Sequence, residues 1–263
     1  MQRGVNRWQA EAFFMGLAVI FVALVSPLDG LSSALFSAHM VQHLLLILVA
    51  APLVVLGSPF AVWLYGLPLA WRRRLAAGWN RLHLQRVWRT LAAPVVAWLL
   101  AAAALWVWHV PVLYEAALRN QAIHSIEHLT LLGTAFAFWY VALPVHRRAR
   151  LSYGATIVYL FTAAAQCGIL GIIITVSPSP WYPSYELSAL AWHLTPEQDQ
   201  QISGLIMWIP AGGLYLLAAL GLLASWTLSG SVRTDGAPAP APGPPGNRPG
   251  PGRKPQTEFG RFE

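Results

Sequence analysis

The chain has 263 residues, of which 56% are hydrophobic and only 10% are charged. Soluble domains carry about 25% charged residues, so this composition excludes an ordinary soluble protein and indicates an all-α, polytopic membrane protein. The net charge of +7 does not indicate nucleic-acid binding, because the arginines are divided among loops, and the single cysteine excludes an intrachain disulfide.

Six apolar runs predict a bundle of about six transmembrane helices, because about 20 helical residues cross a hydrocarbon core of about 30 Å. The predicted spans are residues 8–27, 35–56, 92–108, 122–143, 153–176 and 202–226. The first run follows a basic stretch and ends without a small-residue cleavage motif, which favours a retained signal anchor. Residues 60–70 are too short to span and contain Gly66 and Pro68, so they are predicted to be interfacial or re-entrant.

The basic residues predict the orientation of this bundle. Sixteen of the seventeen lie at the N-terminus, in the loops after the second and fourth spans, or in the C-terminal tail, and only Arg119 lies on the opposite side. By the positive-inside rule both termini are predicted to be cytoplasmic. Residues 1–230 form the predicted transmembrane domain, and the Pro/Gly-rich residues 231–263 are predicted to be a disordered cytoplasmic tail.

Histidines are the most informative residues of the predicted outer side. Side chains four apart on a helix share a face, so the pairs in the second and fourth spans can each approach one ion, and another histidine closes the third span. The candidate metal ligands are His39, His43, His109, His124 and His128. Imidazoles are costly to desolvate in lipid and bind copper, zinc and iron well, so a cluster at one depth predicts a metal or cofactor site.

Four further residues are weaker candidates at this site. Glu127 lies between the second pair of histidines and is interpreted as a partner that orients one of them. Met40 offers a soft thioether that favours cuprous copper, and His193 lies in the loop before the last span. Cys167 lies in the middle of the fifth span, where a lone cysteine usually acts as a small hydrophobic residue.

Several motifs resemble the CtaG family of membrane-integral cytochrome c oxidase assembly factors, named from the caa-type oxidase. The matching segments, which run in order through residues 10 to 225, include FSAHMVQHLL at 36–45, SPLD at 26–29, WHVP at 108–111, HSIEHLT at 124–130 and QQISGLIMWIP at 200–210. The resemblance implies a multipass protein of the bacterial plasma membrane that helps to mature a haem–copper oxidase. It also implies oxidase subunits and the lipid bilayer as partners, with copper as the metal handled by the histidines.

The histidine pattern is also compatible with other functions. Outer-facing histidines with an acid also describe a zinc-dependent intramembrane hydrolase, in which a metal-bound water attacks an amide or ester. One histidine from each of two spans, such as His43 and His128, would also ligate a haem. A copper transporter needs polar groups through the whole membrane, and the inner halves of these spans nearly lack them, while a scaffold would need no ion at all.

Overall fold

The computed structural model describes residues 6–58, 67–143 and 151–234, and within these ranges it is helical, with no β-strand. This confirms the predicted all-α class. The α-helices are α1 (Arg7–Val25), α2 (Pro27–Ser32), α3 (Phe36–Leu44), α4 (Ala51–Leu56), α5 (Leu69–Arg81), α6 (Leu84–Leu91), α7 (Pro94–Trp108), α8 (Pro111–Arg119), α9 (Gln121–Ala142), α10 (Tyr153–Val176), α11 (Glu186–Ala191) and α12 (Pro196–Thr234). A π-helical segment, Leu45–Ala50, joins α3 to α4, and a 3₁₀ turn, Pro183–Tyr185, precedes α11.

Local sequence signals determine where several helices begin. Proline occupies a first helical position in α7 and α8, where its missing N–H costs no hydrogen bond. The Asn120 side chain caps α9 by accepting from the N–H groups of Ala122 and Ile123 at 2.9 and 3.3 Å. These starts fix the register of α7 and α8, which bracket His109, and of α9, which carries His124 and His128.

In the part of the chain that the structure describes, four helical segments are long and apolar enough to cross a membrane, namely Arg7–Val25, Phe36–Leu56, Tyr153–Val176 and Pro196–Ala224. The pair α6 and α7, bent by 74°, would make a fifth span if it crosses as one. A helix forms at each of the six predicted segments, but α7 alone has only 15 residues. The 22-residue α9 is long enough, but it falls outside this set because its first turns carry glutamine, serine, histidine and glutamate.

The π-helical segment of the second span has a local cause. Ala51 N–H bonds to the carbonyl of Leu46, five residues back. In this pattern the carbonyl of Ile47 would bond to residue 52, which is a proline and has no N–H. The indole Nε1 of Trp139 donates to that carbonyl instead, at 2.8 Å. A side chain of α9 thus completes the backbone bonding of the histidine-bearing span.

Glycine permits close helix contacts at several described positions. A Cβ on Gly171 of α10 would lie 2.9 Å from the carbonyl oxygen of Gly204 in α12. A Cβ on Gly57 would lie 2.6 Å from Phe13 of α1. Because real Cβ atoms do not approach so closely, larger residues at these positions would force the helices apart.

The chain divides into two compact units, residues 1–225 and residues 226–263, and most contacts lie within one unit or the other. The first contains α1 to α11 and most of α12. Of the second, the structure describes residues 226–234, which are helical. The predicted disordered tail lies outside the described residues from residue 235 onward, as do residues 60–66 of the predicted interfacial segment.

Candidate metal centre

Five histidines from three helical segments meet at one end of the first unit, which we call the histidine end. His39 and His43 come from α3, His124 and His128 from α9, and His109 follows α7. The ring centroid of His39 lies 5.3 Å from that of His124 and 5.9 Å from that of His128. The His43 ring lies 5.3 Å from His128 and 6.3 Å from His109. The structure thus brings together all five candidate ligands.

Glu127 lies among these rings rather than behind them. Its Oε1 lies 3.6 Å from His43 Nε2, and its Oε2 lies 3.9 Å from His39 Nε2. One ligand atom from each of His39, His124, Glu127 and His128 lies within 4.8 Å of the other three, and we call these residues the four-residue group. The sequence predicts that Glu127 orients one of the histidines, and a carboxylate oxygen of Glu127 also lies within 4.8 Å of a ligand atom of three of them.

Unpartnered polar atoms are concentrated at this cluster. Glu127 is 0% exposed, yet neither of its carboxylate oxygens has a hydrogen-bond partner. The Nε2 atoms of His109, His124 and His128 and the Nδ1 of His43 are also buried without a partner. A buried carboxylate without compensation is strongly unfavourable, and a bound cation would supply the missing interaction for the oxygens and the nitrogens together. The residues present therefore fit a metal ion.

Hydrogen bonds determine which ring nitrogens are free to bind an ion. His109 Nδ1 lies 2.7 Å from the carbonyl oxygen of Leu105, which only accepts, so Nδ1 carries the proton and the Nε2 lone pair is free. Tyr185 donates to the carbonyl of Ser32 at 3.0 Å, and its oxygen lies 3.2 Å from His39 Nδ1. With the hydroxyl proton committed to Ser32, His39 Nδ1 donates to Tyr185, and the Nε2 lone pair faces His43 Nε2, 2.9 Å away.

An aromatic cover, formed by Phe36, Tyr114, Tyr182 and Tyr185, closes the histidine end above the cluster. Tyr114 stacks on Tyr182 with centroids 4.0 Å apart, and Phe36 packs edge-on to Tyr182 at 4.7 Å. The Tyr182 hydroxyl donates to the backbone carbonyl of His109 at 2.9 Å. Burial raises the pKa of each of the three tyrosines above its usual value, so their hydroxyls stay protonated as donors.

Long-range side-chain bonds hold the helix that carries His39 and His43. The buried Asp199 carboxylate accepts from the N–H groups of Phe36 and Ser37 at 2.7 and 3.1 Å, and so caps α3 from 163 residues away. Gln42 donates to the carbonyl of Ala23 at 2.7 Å and to Asp29 at 2.9 Å. Two acids, Asp29 and Asp199, therefore help to position the site.

The chain matches a known family over most of its length. Residues 1–229 match the family described as cytochrome c oxidase caa3 assembly factor (Caa3_CtaG). This protein belongs to that family. Membership confirms the resemblance found in the sequence and supports a role as a cytochrome c oxidase assembly factor.

Curated relatives of this caa3 assembly-factor family member come from mycobacteria. It is 24% identical over 241 residues to an uncharacterized protein of Mycobacterium leprae, and 25% identical over 234 residues to uncharacterized proteins of Mycobacterium bovis and Mycobacterium tuberculosis. Each match covers 86% of this chain but only 35% or 36% of the relative, so the chain spans about a third of their length. No solved structure matches the chain significantly.

The weaker candidates lie in different places. Met40 is buried, and it lines a cavity beneath the cluster together with Cys167. His193 is exposed, has a backbone φ of 58°, and makes no ring contact or hydrogen bond with the five clustered histidines in the described part of the chain. His83, which lies between Arg81 and Arg86, is exposed as well. Tyr185 and Asp199 were missed because their contacts join residues more than 140 positions apart.

Proposed function

We propose that this caa3 assembly factor holds a copper ion in the four-residue group and supplies it to a haem–copper oxidase subunit in the same membrane. The observation that supports this most directly is the buried Glu127 carboxylate without a hydrogen-bond partner, surrounded by imidazoles with free nitrogens. The family supports oxidase assembly, and the cluster supplies a chemical means for it.

The donor set suits a transition metal rather than magnesium or calcium. Neutral imidazoles are good ligands for copper, zinc and iron, whereas hard cations prefer sites made of oxygen atoms. The single carboxylate balances one positive charge, so a cuprous ion in this group would form a neutral, buried complex. His43 and His109 lie next to the group and offer further nitrogens, which allows an ion to exchange ligands without leaving the cluster.

The direction of supply follows from the predicted topology. The arginine distribution predicts that the histidine end faces away from the cytoplasm, so the ion would be handled at the outer side of the plasma membrane. The partner would be an oxidase subunit with a copper site at that depth. The aromatic cover separates the ion from bulk solvent until transfer.

A haem site agrees less well with the geometry. The rings of His43 and His128, the pair expected to ligate iron, have centroids only 5.3 Å apart and are perpendicular to each other. Their packing leaves no gap for a macrocycle between them. Zinc fits the same nitrogen and oxygen donors as copper, so the metal is an outcome that experiment must determine.

The proposal is tested by complementing a deletion strain with variants and measuring oxidase spectra and copper in the oxidase. His39→Ala/His128→Ala removes two members of the group, and His83→Ala/His193→Ala is the matched control with two exposed histidines removed. We expect the control to restore the oxidase and the first variant to leave it copper-deficient, with partial recovery on added copper. Normal oxidase in the first variant under copper limitation would overturn the proposal.

Misfolding is separated from loss of metal handling by a milder variant. His39→Gln/His128→Gln keeps polar side chains of similar size, and its amount in the membrane is measured by immunoblot. We expect normal protein levels with a copper-deficient oxidase. Normal levels with a fully active oxidase would contradict the proposal independently of the alanine variant.

A further inference from the structure

We propose that the cavity directly beneath the histidine cluster is a second binding position, selective for a soft monovalent ion such as Cu(I). We call it the lower cavity. This inference rests on the proposed function, because it concerns where an ion can move after the four-residue group. It adds a site with different donor chemistry, which neither the family description nor the curated relatives assign.

The lower cavity has a volume of about 50 Å³, which is enough for an ion or a water molecule. His43 and His109 line it on the side of the cluster, and Cys167, Met207 and Tyr215 line it deeper in the bundle, with Met40 also in its wall. Cys167 lies nine residues before the end of α10 at Val176, about 14 Å along the helix axis. The cavity therefore extends from the metal cluster towards the middle of the bundle.

Sulfur atoms are concentrated around this cavity. The chain has one cysteine and four methionines, and Cys167, Met40 and Met207 all line the cavity. The Cys167 thiol donates to the backbone carbonyl of Met207 at 3.5 Å, so the α10 and α12 residues are in direct contact. Met15, by contrast, is 58% exposed on α1. Thiol and thioether ligands favour soft ions such as cuprous copper over hard cations.

Unpartnered imidazole nitrogens provide a second, independent observation. His43 is 4% exposed and His109 is 3% exposed, and both line the cavity. His43 Nδ1 and His109 Nε2 are buried without a hydrogen-bond partner. His43 also places its Nε2 2.9 Å from His39 Nε2, so one residue belongs to both the cluster and the cavity wall. His43 is thus positioned to exchange an ion between the two sites.

The surroundings of the lower cavity favour a low charge. Most of its wall is aliphatic or aromatic, so a divalent ion would be strongly destabilised there. Cu(I) carries one charge, and its binding to Cys167 breaks the S–H bond and releases the proton to solvent. The resulting pair of Cu(I) and thiolate has no net charge, which lowers the free-energy cost of burial. The four-residue group, with nitrogen and oxygen donors, has no such restriction.

The test uses the purified full chain, anaerobic Cu(I) with X-ray absorption spectroscopy, and Ag(I) as a redox-inert probe of stoichiometry. We expect sulfur in the Cu(I) coordination shell of the wild-type protein. Cys167→Ser/Met207→Leu, which leaves only Met40 as a sulfur ligand in the cavity wall, should lose most of the sulfur signal and about one equivalent of Ag(I). Met15→Leu, which replaces the exposed methionine, should keep both. A wild-type shell of nitrogen and oxygen alone, or a sulfur signal unchanged in the double variant, would overturn the inference.

A single, volume-conserving substitution distinguishes loss of the sulfur site from misfolding of the protein. Met207→Leu conserves volume, so the variant should fold normally, and we expect its sulfur signal to weaken while binding at the four-residue group persists. An undiminished sulfur signal in this folded variant counts against the inference. Absence of any bound metal in the wild type would instead overturn the proposed function, so the two failures are distinguishable.

Discussion

The two ends of the bundle differ in the burial of their polar side chains. At the histidine end, His39, His109 and Glu127 are 1%, 3% and 0% exposed. At the opposite end, which we call the arginine end, α6 contains no buried residue, and its Arg86 and Arg89 are exposed. Exposed arginines keep their contact with water or lipid head groups and serve orientation. Buried imidazoles and a buried carboxylate lose that contact, so they need another source of stabilisation.

The two ends also differ in the range of their side-chain hydrogen bonds. Asp199, Gln42 and Tyr185 bond across the histidine end to backbone groups or rings of other segments. In α6, the Thr90 hydroxyl makes a local bond, to the carbonyl of Arg86 at 3.2 Å. A site that binds an ion needs ligands held in place, whereas an interfacial helix does not. Substitutions at the two ends should therefore have very different effects.

The largest effect is expected at Glu127. Glu127→Gln removes the only carboxylate of the four-residue group, and we expect metal affinity to fall by about 100-fold, since even groups that support a ligand contribute about 10- to 100-fold. Thermal stability of the metal-free protein should not decrease, because neither carboxylate oxygen of Glu127 has a hydrogen-bond partner to lose. Competition with a chromophoric chelator measures the affinity, and unchanged affinity would mean that Glu127 does not contact the ion.

The second-largest effect is expected at Asp199, and it concerns the stability of the fold rather than metal binding. Asp199→Asn leaves one acceptor oxygen for the two N–H donors of Phe36 and Ser37, and we expect a loss of about 1–3 kcal/mol in unfolding free energy. Glu197→Gln, an exposed acid in the same helical turn, is the control and should change little. Denaturation in detergent monitors both variants. Equal stability of the two would show that Asp199 does not cap α3.

A smaller, more specific effect is expected at Tyr185. Tyr185→Phe removes the acceptor of His39 Nδ1, and we expect metal affinity to fall by about 10-fold as the ring loses its fixed tautomer. Tyr182→Phe is the matched control, because that hydroxyl bonds to the backbone of His109 and not to a ring. Nitrogen NMR of labelled histidine reports the tautomer directly. Equal affinities of the two variants would contradict the role given to Tyr185.

The smallest effect is expected at the arginine end. His83 is exposed with a φ of 52°, a backbone conformation that asparagine tolerates well. His83→Asn should leave metal stoichiometry unchanged and alter stability by no more than about 0.5 kcal/mol. Metal analysis after gel filtration checks this. A loss of bound metal would mean that the contrast between the two ends is wrong.

Sequence reasoning located the histidines because helical spacing and depth are local properties. Four-residue spacing placed His39 with His43 and His124 with His128, and the proline after His109 marked a helix end, so their meeting could be anticipated. The position of Glu127 among the rings depends on the rotation of α9, which Trp139 and the π-helical segment influence through packing. The roles of Asp199 and Tyr185 depend on tertiary contacts that no spacing in one chain reveals.

The number of membrane spans was likewise only partly predictable from local sequence. Apolar runs correctly indicated where the helices lie, but the polar first turns of α9 and the bend between α6 and α7 leave four or five segments that qualify by length and composition. The residues that make α9 less apolar are those of the candidate site. A functional cluster thus weakens the hydropathy signal of the helix that carries it.

The central claim is that the four-residue group holds an ion, and metal analysis of the purified full chain tests it most directly. After loading with copper or zinc and removal of free metal, we expect a retained ion with nitrogen and oxygen ligands by X-ray absorption. His39→Ala/His128→Ala should lose that equivalent, and His83→Ala/His193→Ala should keep it. A wild-type protein that retains neither metal, or a double variant that retains as much as the wild type, would contradict the account.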